Sequence, residues 1–446
     1  MDSQHTVSAF LGRYNFDVRG PSVNTIIDSL LYDMEEGLRR SPGFTPKVGT
    51  ALDMIPTWLL PPAERPKNTS VIVIDAGGTN FRSCLVSFDA MGTPSITQFE
   101  RSPMPATERE YSKKEFYDTM ASYLDRLKNA AETIGFCFSY PMKITADGDG
   151  EVLMFSKEIT APQVVGSYVG KSLAEALQKR GWAPLKHITL LNDTVAALFA
   201  GAATAAAGRK YSSYVGFILG TGMNTAYIEY DPIAKLAEIA DSKLRPSAQI
   251  IVCESGKSNK IPRSYFDELI AQKTNEPELY WFEKMCSGAY LGSLAAHILR
   301  VAACDGLFSD SINTVFSTLE SLSLIEANQF LSNPYAEDTL LGTLLTGKSE
   351  QDRELTYRMV DAVVARAARL AAGNIAAAVI KSGKGSNPTS PVCILAEGTT
   401  FLKMHHLYRR VTAYLQTVLT EQRGIYFELV TAEHAVTLGT AIGGCI

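Results

Sequence analysis

Two stretches of this chain share one pattern, VIVIDAGGTNFRSCLVSF at residues 71–88 and YVGFILGTGMNTAYIEY at residues 214–230. In each, an apolar run meets a glycine-containing turn and is followed by a second apolar run, which predicts a β-hairpin. The repeated device is a weak internal duplication of the kind that two related subdomains would show. Strands and helices alternate through much of the remaining sequence. We therefore expect an α/β protein whose sheets are covered by helices.

Periodicity gives a coarse map of the other elements. We expect helices at residues 23–38, 115–129, 173–179, 195–207, 281–303, 320–331, 350–380 and 406–419, and at the C-terminal end. We expect further strands at residues 134–139, 151–155, 188–191, 392–395 and 426–430. A proline-rich connector follows the first of these helices, and the region around 310–351 has no interpretation beyond helix.

Length and composition exclude several classes of protein. A chain of 446 residues with 46% hydrophobic and 20% charged residues is typical of a globular protein with two or three domain-sized units. The net charge of −5 gives no global attraction to nucleic acid or an anionic membrane. The seven cysteines are scattered without a CxxC pair, so we expect neither a disulfide framework nor a zinc site, and a reducing cytosol fits best.

Targeting segments are not expected either. The most apolar runs, at residues 195–207 and 371–380, are shorter than the roughly 20 residues that a helix needs to cross a bilayer. The N-terminal sequence MDSQHTVSAF lacks a basic region followed by an apolar one, which argues against a secretory signal. These patterns predict a cytoplasmic protein with no membrane partner.

The first glycine turn carries the residue types that bind phosphate. Gly77 and Gly78 let the backbone approach a polyanion, while Thr79 and Asn80 add polar groups and Arg82 adds a cation. Asp75, at the end of the strand, could hold Mg²⁺ directly or through water. A plain hairpin turn is the alternative, but the acid, the hydroxyl and the arginine together favour phosphate binding.

The second turn, Gly220-Thr221-Gly222, repeats this device, and two such turns could hold a triphosphate from both sides. Alone it is a weak signal, since many strand turns contain Gly-Thr-Gly. Neither turn is a P-loop, and neither is a GxGxxG opening a helix, so a dinucleotide-binding fold is disfavoured.

For each remaining polar candidate, a functional and a purely structural interpretation are both open. Asn192 and Asp193 lie between a predicted strand and a predicted helix, where an Asp could accept a proton from a hydroxyl and where either residue could cap the helix. Lys157 could neutralise a transferring phosphoryl group or lie solvated on the surface. Glu254 and Glu283, read singly, are ordinary surface or capping residues.

Taken in order, these segments resemble the hexokinase family, which has the actin-like ATPase fold. The resemblance runs from about residue 48 to the C-terminus. Its segments are DMIPTWL (53–59), IDAGGTNFR (74–82), FCFSYP (136–141), MFSKEI (154–159), LLNDTVAALFAG (190–201), GFILGTGMNTAYIE (216–229), CESG (253–256), WFEKMCSGAYLGSL (281–294) and ILAEGTTFLKMHHLY (394–408). The set NDTVxxL, GTGxN and EKMxSGxYLG is highly specific to this family.

The resemblance implies two α/β lobes with a ligand cleft between them, and an ATP:hexose 6-phosphotransferase that uses Mg·ATP. Asp193 matches the family's general base, and Lys157 matches a catalytic lysine. The family's sugar contacts fall on Ser139, Ser156, Lys157, Asn192, Asp193, Asn224, Glu254 and Glu283. Its nucleotide contacts fall on Asp75, Gly77, Gly78, Thr79, Asn80, Arg82, Gly220, Thr221, Gly222, Gly398 and Thr399, with Asp75 orienting Mg²⁺.

The chain departs from the family pattern in four places. Ser156 replaces Thr, and Val252 replaces the usual Asn two positions before the Glu. Glu397 replaces Asp in the nucleotide-side Asp-Gly-Thr segment. Residues 435–439, Ala-Val-Thr-Leu-Gly, stand where the family has Gly-Ser-Gly-Lys-Gly, so only Gly439 is kept.

The resemblance also predicts the domain division and the partners. We expect a small lobe of residues 67–193 plus 432–446 and a large lobe of residues 1–66 plus 194–431. We expect a monomer or homodimer that binds a hexose, with glucose the leading candidate, and binds no nucleic acid. The altered nucleotide-side segment leaves a non-catalytic sugar sensor as an alternative, and the phosphate turns alone would also allow a polymerising actin-like ATPase.

Overall fold

The computed structural model describes residues 3–16, 20–39, 52–78, 80–155, 159–204, 209–236 and 247–446. Its strands are β1 (Ile55–Pro56), β2 (Thr69–Gly77), β3 (Asn80–Phe88), β4 (Pro94–Pro103), β5 (Thr133–Phe138), β6 (Met142–Ile144), β7 (Gly150–Val152), β8 (His187–Leu191), β9 (Ser213–Leu219), β10 (Met223–Glu229), β11 (Gln249–Val252), β12 (Val392–Glu397) and β13 (Phe427–Val430).

The helices are α1 (Ser3–Arg13), α2 (Val23–Arg39), α3 (Lys113–Tyr123), α4 (Val169–Lys179), α5 (Asp193–Thr204), α6 (Tyr265–Ala271), α7 (Trp281–Cys286), α8 (Gly288–Cys304), α9 (Asp310–Ser317), α10 (Leu324–Ser332), α11 (Leu340–Leu345), α12 (Glu350–Lys381), α13 (Thr399–Lys403), α14 (Leu407–Leu415) and α15 (Ala435–Gly443).

Two large sheets share one plan. The first has the strand order β4-β3-β2-β5-β8, and the second has the order β1-β11-β10-β9-β12-β13. In each sheet a three-stranded antiparallel meander is joined side by side to two parallel strands, and β1 adds an edge strand to the second sheet. The duplication seen in the sequence is therefore a duplication of sheet topology, and the mixed α/β class is confirmed.

Both predicted hairpins are present. Gly77 pairs with Asn80 at the end of the β2–β3 hairpin, and Leu219 pairs with Met223 at the end of the β9–β10 hairpin. Each hairpin turn lies at the carboxyl end of its first strand, which is where ligands bind in open α/β sheets.

Helices α5 and α15 pack together between the sheets. At Gly439 a Cβ atom would overlap the carbonyl oxygen of Ala196, so only glycine allows the two backbones to approach this closely. Helix α15 also lies on the first sheet, where a Cβ at Gly135 would overlap the carbonyl oxygen of Thr440. Gly439, the one residue that the chain keeps from its family's glycine-rich segment, thus has a packing role.

Helix α12 is the central helix of the largest hydrophobic core. Its 32 residues include the apolar run 371–380, and within the described residues it is the one helix long and apolar enough to cross a membrane. The most apolar 18-residue window of α12 is 89% buried inside the protein, which is the pattern of a core helix. The helix predicted over residues 350–380 is confirmed, and its apolar stretch is longer than the run 371–380 because it extends past Arg366 and Arg369, which are themselves buried.

Several element boundaries differ from the sequence prediction. Strand β4 was not expected, because it is an edge strand exposed on both faces and lacks alternation. The helix predicted over residues 281–303 is two helices, broken at Ser287, whose backbone is extended (φ −89°, ψ 161°). The predicted strand at 151–155 is shorter, and the 310–351 region forms α9, α10 and α11.

Candidate active site

Asn224 and Glu254 meet because β10 and β11 are antiparallel neighbours, with Ala226 paired to Val252. The Nδ2 of Asn224 donates to Oε1 of Glu254 at 2.8 Å. The Oδ1 of Asn224 accepts from the backbone N–H of Ser255 at 3.3 Å. Glu254 itself has a left-handed backbone, with φ of 54°. An amide and a carboxylate are therefore fixed side by side at one edge of the second sheet.

Glu254 lies in an environment that opposes its ionisation. Burial raises the pKa of this carboxyl above its usual value, and the negative charges of Asp53 and Asp193 act in the same direction. Lys257 and the hydrogen bond from Asn224 oppose them.

Glu283 is held by the second glycine turn. Its Oε2 accepts a hydrogen bond from the backbone N–H of Met223 at 2.9 Å. A Cβ atom at Gly222 would lie 2.6 Å from the same Oε2, so this glycine makes room for the carboxylate. The turn therefore contacts a predicted sugar residue as well as carrying predicted phosphate contacts.

Asn192 and Asp193 lie where β8 ends and α5 begins. The Oδ1 of Asn192 accepts from the backbone N–H of Thr194 at 2.9 Å, so the capping interpretation is right for Asn192. Asp193 is the first residue of α5. Asn192 and Glu254 line the same pocket, whose wall also includes Ile55, Thr57, Leu59, Phe138, Tyr140, Pro141, Met142, Ile144, Leu190, Leu191, Val195 and Val252.

The first glycine turn lies across the cleft on the first sheet. Gly78 has φ of 61°, and its carbonyl oxygen accepts from the hydroxyl of Tyr140 at 2.6 Å. A Cβ at Gly77 would lie 3.1 Å from the Cβ of Ser139, so this turn also contacts a predicted sugar residue. Sequence reasoning missed Tyr140, although it follows Ser139 directly.

Asp75 forms an ion pair beside this turn. Nη1 of Arg82 lies 2.7 Å from Oδ2 of Asp75, because the two residues are cross-strand partners in the β2–β3 hairpin. Burial raises the pKa of Asp75, and the Arg82 guanidinium opposes that rise. Arg82 is thus engaged with Asp75, a partner that the sequence did not indicate.

The starts of two helices, α8 and α13, donate hydrogen bonds to the backbone of the second turn, Gly220-Thr221-Gly222. The carbonyl oxygen of Gly220 accepts from the backbone N–H of Gly288 at 2.8 Å and from Oγ1 of Thr400 at 2.9 Å. The N–H of Ala289 donates to the carbonyl oxygen of Thr221 at 3.2 Å. Thr400, which follows the predicted nucleotide contact Thr399, was not expected to take part.

Glu397, the last residue of β12, contacts the start of α15 through its side chain. Its Oε2 accepts from the backbone N–H of Val436 at 3.2 Å, a favourable place for a carboxylate at a helix N-terminus. Burial raises the pKa of Glu397, and the charge of Asp75 adds to the rise. Gly398, next in the chain, has φ of 118° and packs against Leu219 and Gly220.

The carboxylates at this end of the cleft fit Mg²⁺. The ion prefers oxygen ligands and is usually held by one or two carboxylates together with substrate phosphates. Asp75 lies two residues before Gly77 on β2, and Glu397 immediately precedes Gly398, which packs against Gly220. The charge of Asp75 raises the pKa of Glu397. Among the described residues, no group of three or more His, Cys, Asp or Glu side chains could hold a metal ion. Carboxylates beside a phosphate-type turn would suit an ion whose other ligands are phosphate oxygens and water.

Three predicted site residues lie outside the described residues, namely Thr79, Ser156 and Lys157. Of the other predicted residues, Asn192 and Glu254 line one pocket, Asn224 hydrogen-bonds to Glu254, and Glu283 accepts a hydrogen bond from the second glycine turn. Residues that sequence reasoning missed there are Asp53, Tyr140, Lys257, Tyr280, Asn374 and Thr400. Of these, only Lys257 carried a visible signal, as a cation three positions after Glu254.

Two related sheets facing a cleft, with a glycine turn from each, place the chain in the class of proteins with the actin-like ATPase fold. Among solved structures, a hexokinase from Schistosoma mansoni complexed with glucose superposes with a TM-score of 0.76 over 100% of both chains, at 23% identity. A second structure, titled as a hexokinase, gives a TM-score of 0.75 over 94% of both chains, at 22% identity.

Sequence comparisons identify the family. Hexokinase family models match residues 12–203 and 214–446, so the chain belongs to the hexokinase family. It is 26% identical to hexokinase-1 of Schizosaccharomyces pombe, over 96% of this chain and 88% of that protein. It is also 26% identical to a glucokinase of Aspergillus niger, over 83% of this chain and 82% of that protein. The protein is a hexose phosphotransferase that uses ATP with Mg²⁺.

Proposed function

We propose that the protein transfers the γ-phosphoryl group of Mg·ATP to the 6-hydroxyl of D-glucose, giving glucose 6-phosphate for glycolysis. The observation that carries this proposal is the fixed set of Asn224, Glu254 and Glu283 beside a phosphate-type turn. The glucose named with the Schistosoma structure and the name of the Aspergillus relative support glucose as the hexose.

The sugar side suits a polyhydroxyl ligand. Glu254 and Glu283 accept hydrogen bonds, and Asn224 can both donate and accept. Ser139 and Asn192 add polar groups from the other side of the cleft. A site of fixed polar partners rejects analogues that lack a hydroxyl more strongly than an apolar pocket does, because the partners are left unpaired.

We assign the general base to Asp193. Its carboxylate accepts the proton of the sugar 6-hydroxyl as the oxygen attacks the γ-phosphorus. A new P–O bond forms to the sugar, the bond to the ADP oxygen breaks, and ADP leaves with the bonding electrons. Lys157 is proposed to stabilise the charge of the transferring group.

The nucleotide side is proposed to include Asp75, both glycine turns, and Gly398 with Thr399. Asp75 would hold Mg²⁺, directly or through water, and the ion would supply charge neutralisation at the phosphate oxygens. Arg82 keeps the Asp75 carboxylate oriented and favours its ionised form, against the effect of burial. The Nε of Arg101 donates a hydrogen bond to Oδ1 of Asn80 at 2.7 Å, which fixes the position of the residue that follows the first turn.

We further propose that the lobes are residues 67–193 plus 432–446 and residues 1–66 plus 194–431, and that they close on the hexose. Closure would exclude water and limit ATP hydrolysis. A cytoplasmic location and a monomeric or homodimeric state complete the proposal.

The test is an assay of ADP release from Mg·ATP with and without glucose, followed by the same assay with mannose and fructose. We expect release that depends on glucose, glucose 6-phosphate as the product, and the highest kcat/KM for glucose among the three sugars. A higher kcat/KM for another hexose would contradict the assignment of glucose. Equal release without any sugar would contradict the assignment of the cleft.

A further inference from the structure

Asn374 is a buried amide in the most apolar part of the core. It is the one polar side chain in the run 371–380 of α12, and it is 4% exposed. Burying an amide costs free energy unless the amide is hydrogen-bonded, so its partner indicates what the residue does. That partner lies outside α12, beside the proposed sugar contacts.

The amide of Asn374 reaches the residue that follows Glu254. Its Nδ2 donates to Oγ of Ser255 at 3.0 Å. Ser255 is 1% exposed and begins the one-turn 3₁₀ helix Ser255–Lys257. The central core helix is therefore joined directly to the turn that carries Glu254 at its start.

Ser255 is joined in turn to β10. Its backbone N–H donates to Oδ1 of Asn224 at 3.3 Å, and its hydroxyl lies 3.5 Å from Oγ1 of the buried Thr225. The backbone N–H of Thr225 also donates to Oδ1 of Asn224, at 2.7 Å. Two N–H groups thus hold the oxygen end of the Asn224 amide, which directs its Nδ2 to Glu254 at 2.8 Å.

The same turn packs against the third proposed sugar residue. A Cβ atom at Gly256 would lie 3.0 Å from the Cβ of Glu283 and 3.3 Å from its Oε2. The backbone of the turn therefore limits where the Glu283 side chain can lie. One short turn contacts all three of the acidic and amide residues assigned to the hexose.

Helix α12 gives the Asn374 amide a fixed starting point. A Cβ atom at Gly373 would lie 2.4 Å from Cγ2 of Ile26 on α2, so the two helices pack closely one residue before Asn374. Tightly packed core helices transmit position to the groups that hydrogen-bond to them.

We propose that Asn374 is a positioning residue for hexose binding, which acts by holding the turn Ser255–Lys257 against α12. The turn then fixes Asn224 and Glu254 and limits the movement of Glu283. This inference rests on the proposed role of those three residues as sugar contacts. Because Ser255 and Gly256 contact sugar residues, loss of the link should act on the KM for hexose more than on the KM for ATP.

The experiment is steady-state kinetics of the full-length protein, with glucose varied at saturating Mg·ATP and ATP varied at saturating glucose. We expect Asn374→Ala to raise the KM for glucose about tenfold, while kcat and the KM for ATP stay within about threefold of wild type. Ser255→Ala removes the same hydrogen bond from its other end and leaves α12 unchanged, so we expect a similar rise.

The double variant tests whether the two residues act through one link. We expect the KM for glucose in Asn374→Ala with Ser255→Ala to rise about tenfold again, and not the hundredfold that independent effects would give. The matched control is Thr356→Ala, because Thr356 is also a fully buried polar residue of α12, whose Oγ1 donates to the carbonyl oxygen of Asp352 at 2.8 Å. It should lose stability in urea unfolding without moving the KM for glucose.

A KM for glucose that stays at the wild-type value in both single variants would overturn the inference. Multiplicative effects in the double variant would also overturn it, as would equal rises in the two KM values or an equal rise in Thr356→Ala. Wild-type protein without glucose-dependent turnover would overturn the proposed function, and this inference with it. Glucose-dependent turnover by the wild type together with an unchanged KM for glucose in both single variants would overturn the inference alone.

Discussion

The two glycine turns look alike in sequence but are supported differently. The first, at Gly77 and Gly78, is held by the hydroxyl of Tyr140 and by neighbours within its own sheet. The second, at Gly220 and Gly222, receives hydrogen bonds from the starts of α8 and α13 and donates one to Glu283. The second turn is therefore braced by two helices outside its own hairpin, α8 and α13, whereas the described contacts of the first turn come from its own sheet and from Tyr140 just after β5.

The largest expected effect is a loss of stability on substituting Gly398, which packs against the second turn. In Gly398→Ala the new Cβ would overlap the carbonyl oxygen of Leu219, approach the N of Gly220 to 2.8 Å, and sit at φ of 118°. We expect about 3 kcal/mol of lost stability, since both the backbone conformation and the contact are unfavourable. Urea unfolding measures this loss.

The corresponding change in the first turn is Gly77→Ala, whose Cβ would meet only the Ser139 side chain, at 3.1 Å. We expect it to cost clearly less stability than Gly398→Ala. Equal losses in the two variants would show that the turns are supported equally, against this account.

The next effect is on hexose affinity. In Gly222→Ala the methyl group would displace the Glu283 carboxylate, which lies 2.6 Å from the Cβ position. Losing a charged hydrogen bond of this kind costs about 2 kcal/mol, so we expect the KM for hexose to rise about 30-fold. Steady-state kinetics at saturating ATP measures it.

Gly220→Ala is the control within the same turn, because its Cβ would approach nothing closer than 3.9 Å, at the Cα of Gly398. We expect its hexose KM to stay within a few-fold of wild type. A comparable rise in hexose KM in both variants would mean that the turn acts on the sugar by some route other than Glu283.

The smallest effect is expected at the first turn. Tyr140→Phe removes the hydrogen bond to the carbonyl oxygen of Gly78, worth about 1 kcal/mol. We expect the KM for ATP to rise about fivefold, with a smaller effect on hexose affinity in calorimetry, because the ring of residue 140 stays in the wall of the pocket that Asn192 and Glu254 line. A hexose effect larger than the ATP effect would contradict the separation of the two turns.

The sequence alone was sufficient to predict those structural elements that are specified by a short local pattern. Both hairpins and the cap at Asn192 follow from short runs of residue types, and the structure has them where they were expected. The edge strand β4 could not be predicted, because it is exposed on both faces and is defined by its pairing with β3.

The site was predictable only as a set of residue types. Nothing near Glu254 in the sequence indicates that Lys257 is drawn to Asp53, since the two are separated by about two hundred positions. The turn after Glu254 has similar distant partners, because Ser255 accepts a hydrogen bond from Asn374 and Ser258 donates one to Asp33. Such contacts arise from tertiary packing and leave no local pattern.

The most direct test of the central claim compares turnover with sugar binding in Asp193→Asn. Turnover is measured with Mg·ATP and glucose, and glucose binding is measured by calorimetry without nucleotide. We predict that kcat falls by about 10²-fold or more, because the general base is lost. Glucose affinity should stay within about tenfold of wild type, because Asn224, Glu254 and Glu283 are held by other contacts. Near wild-type kcat in this variant would contradict the account.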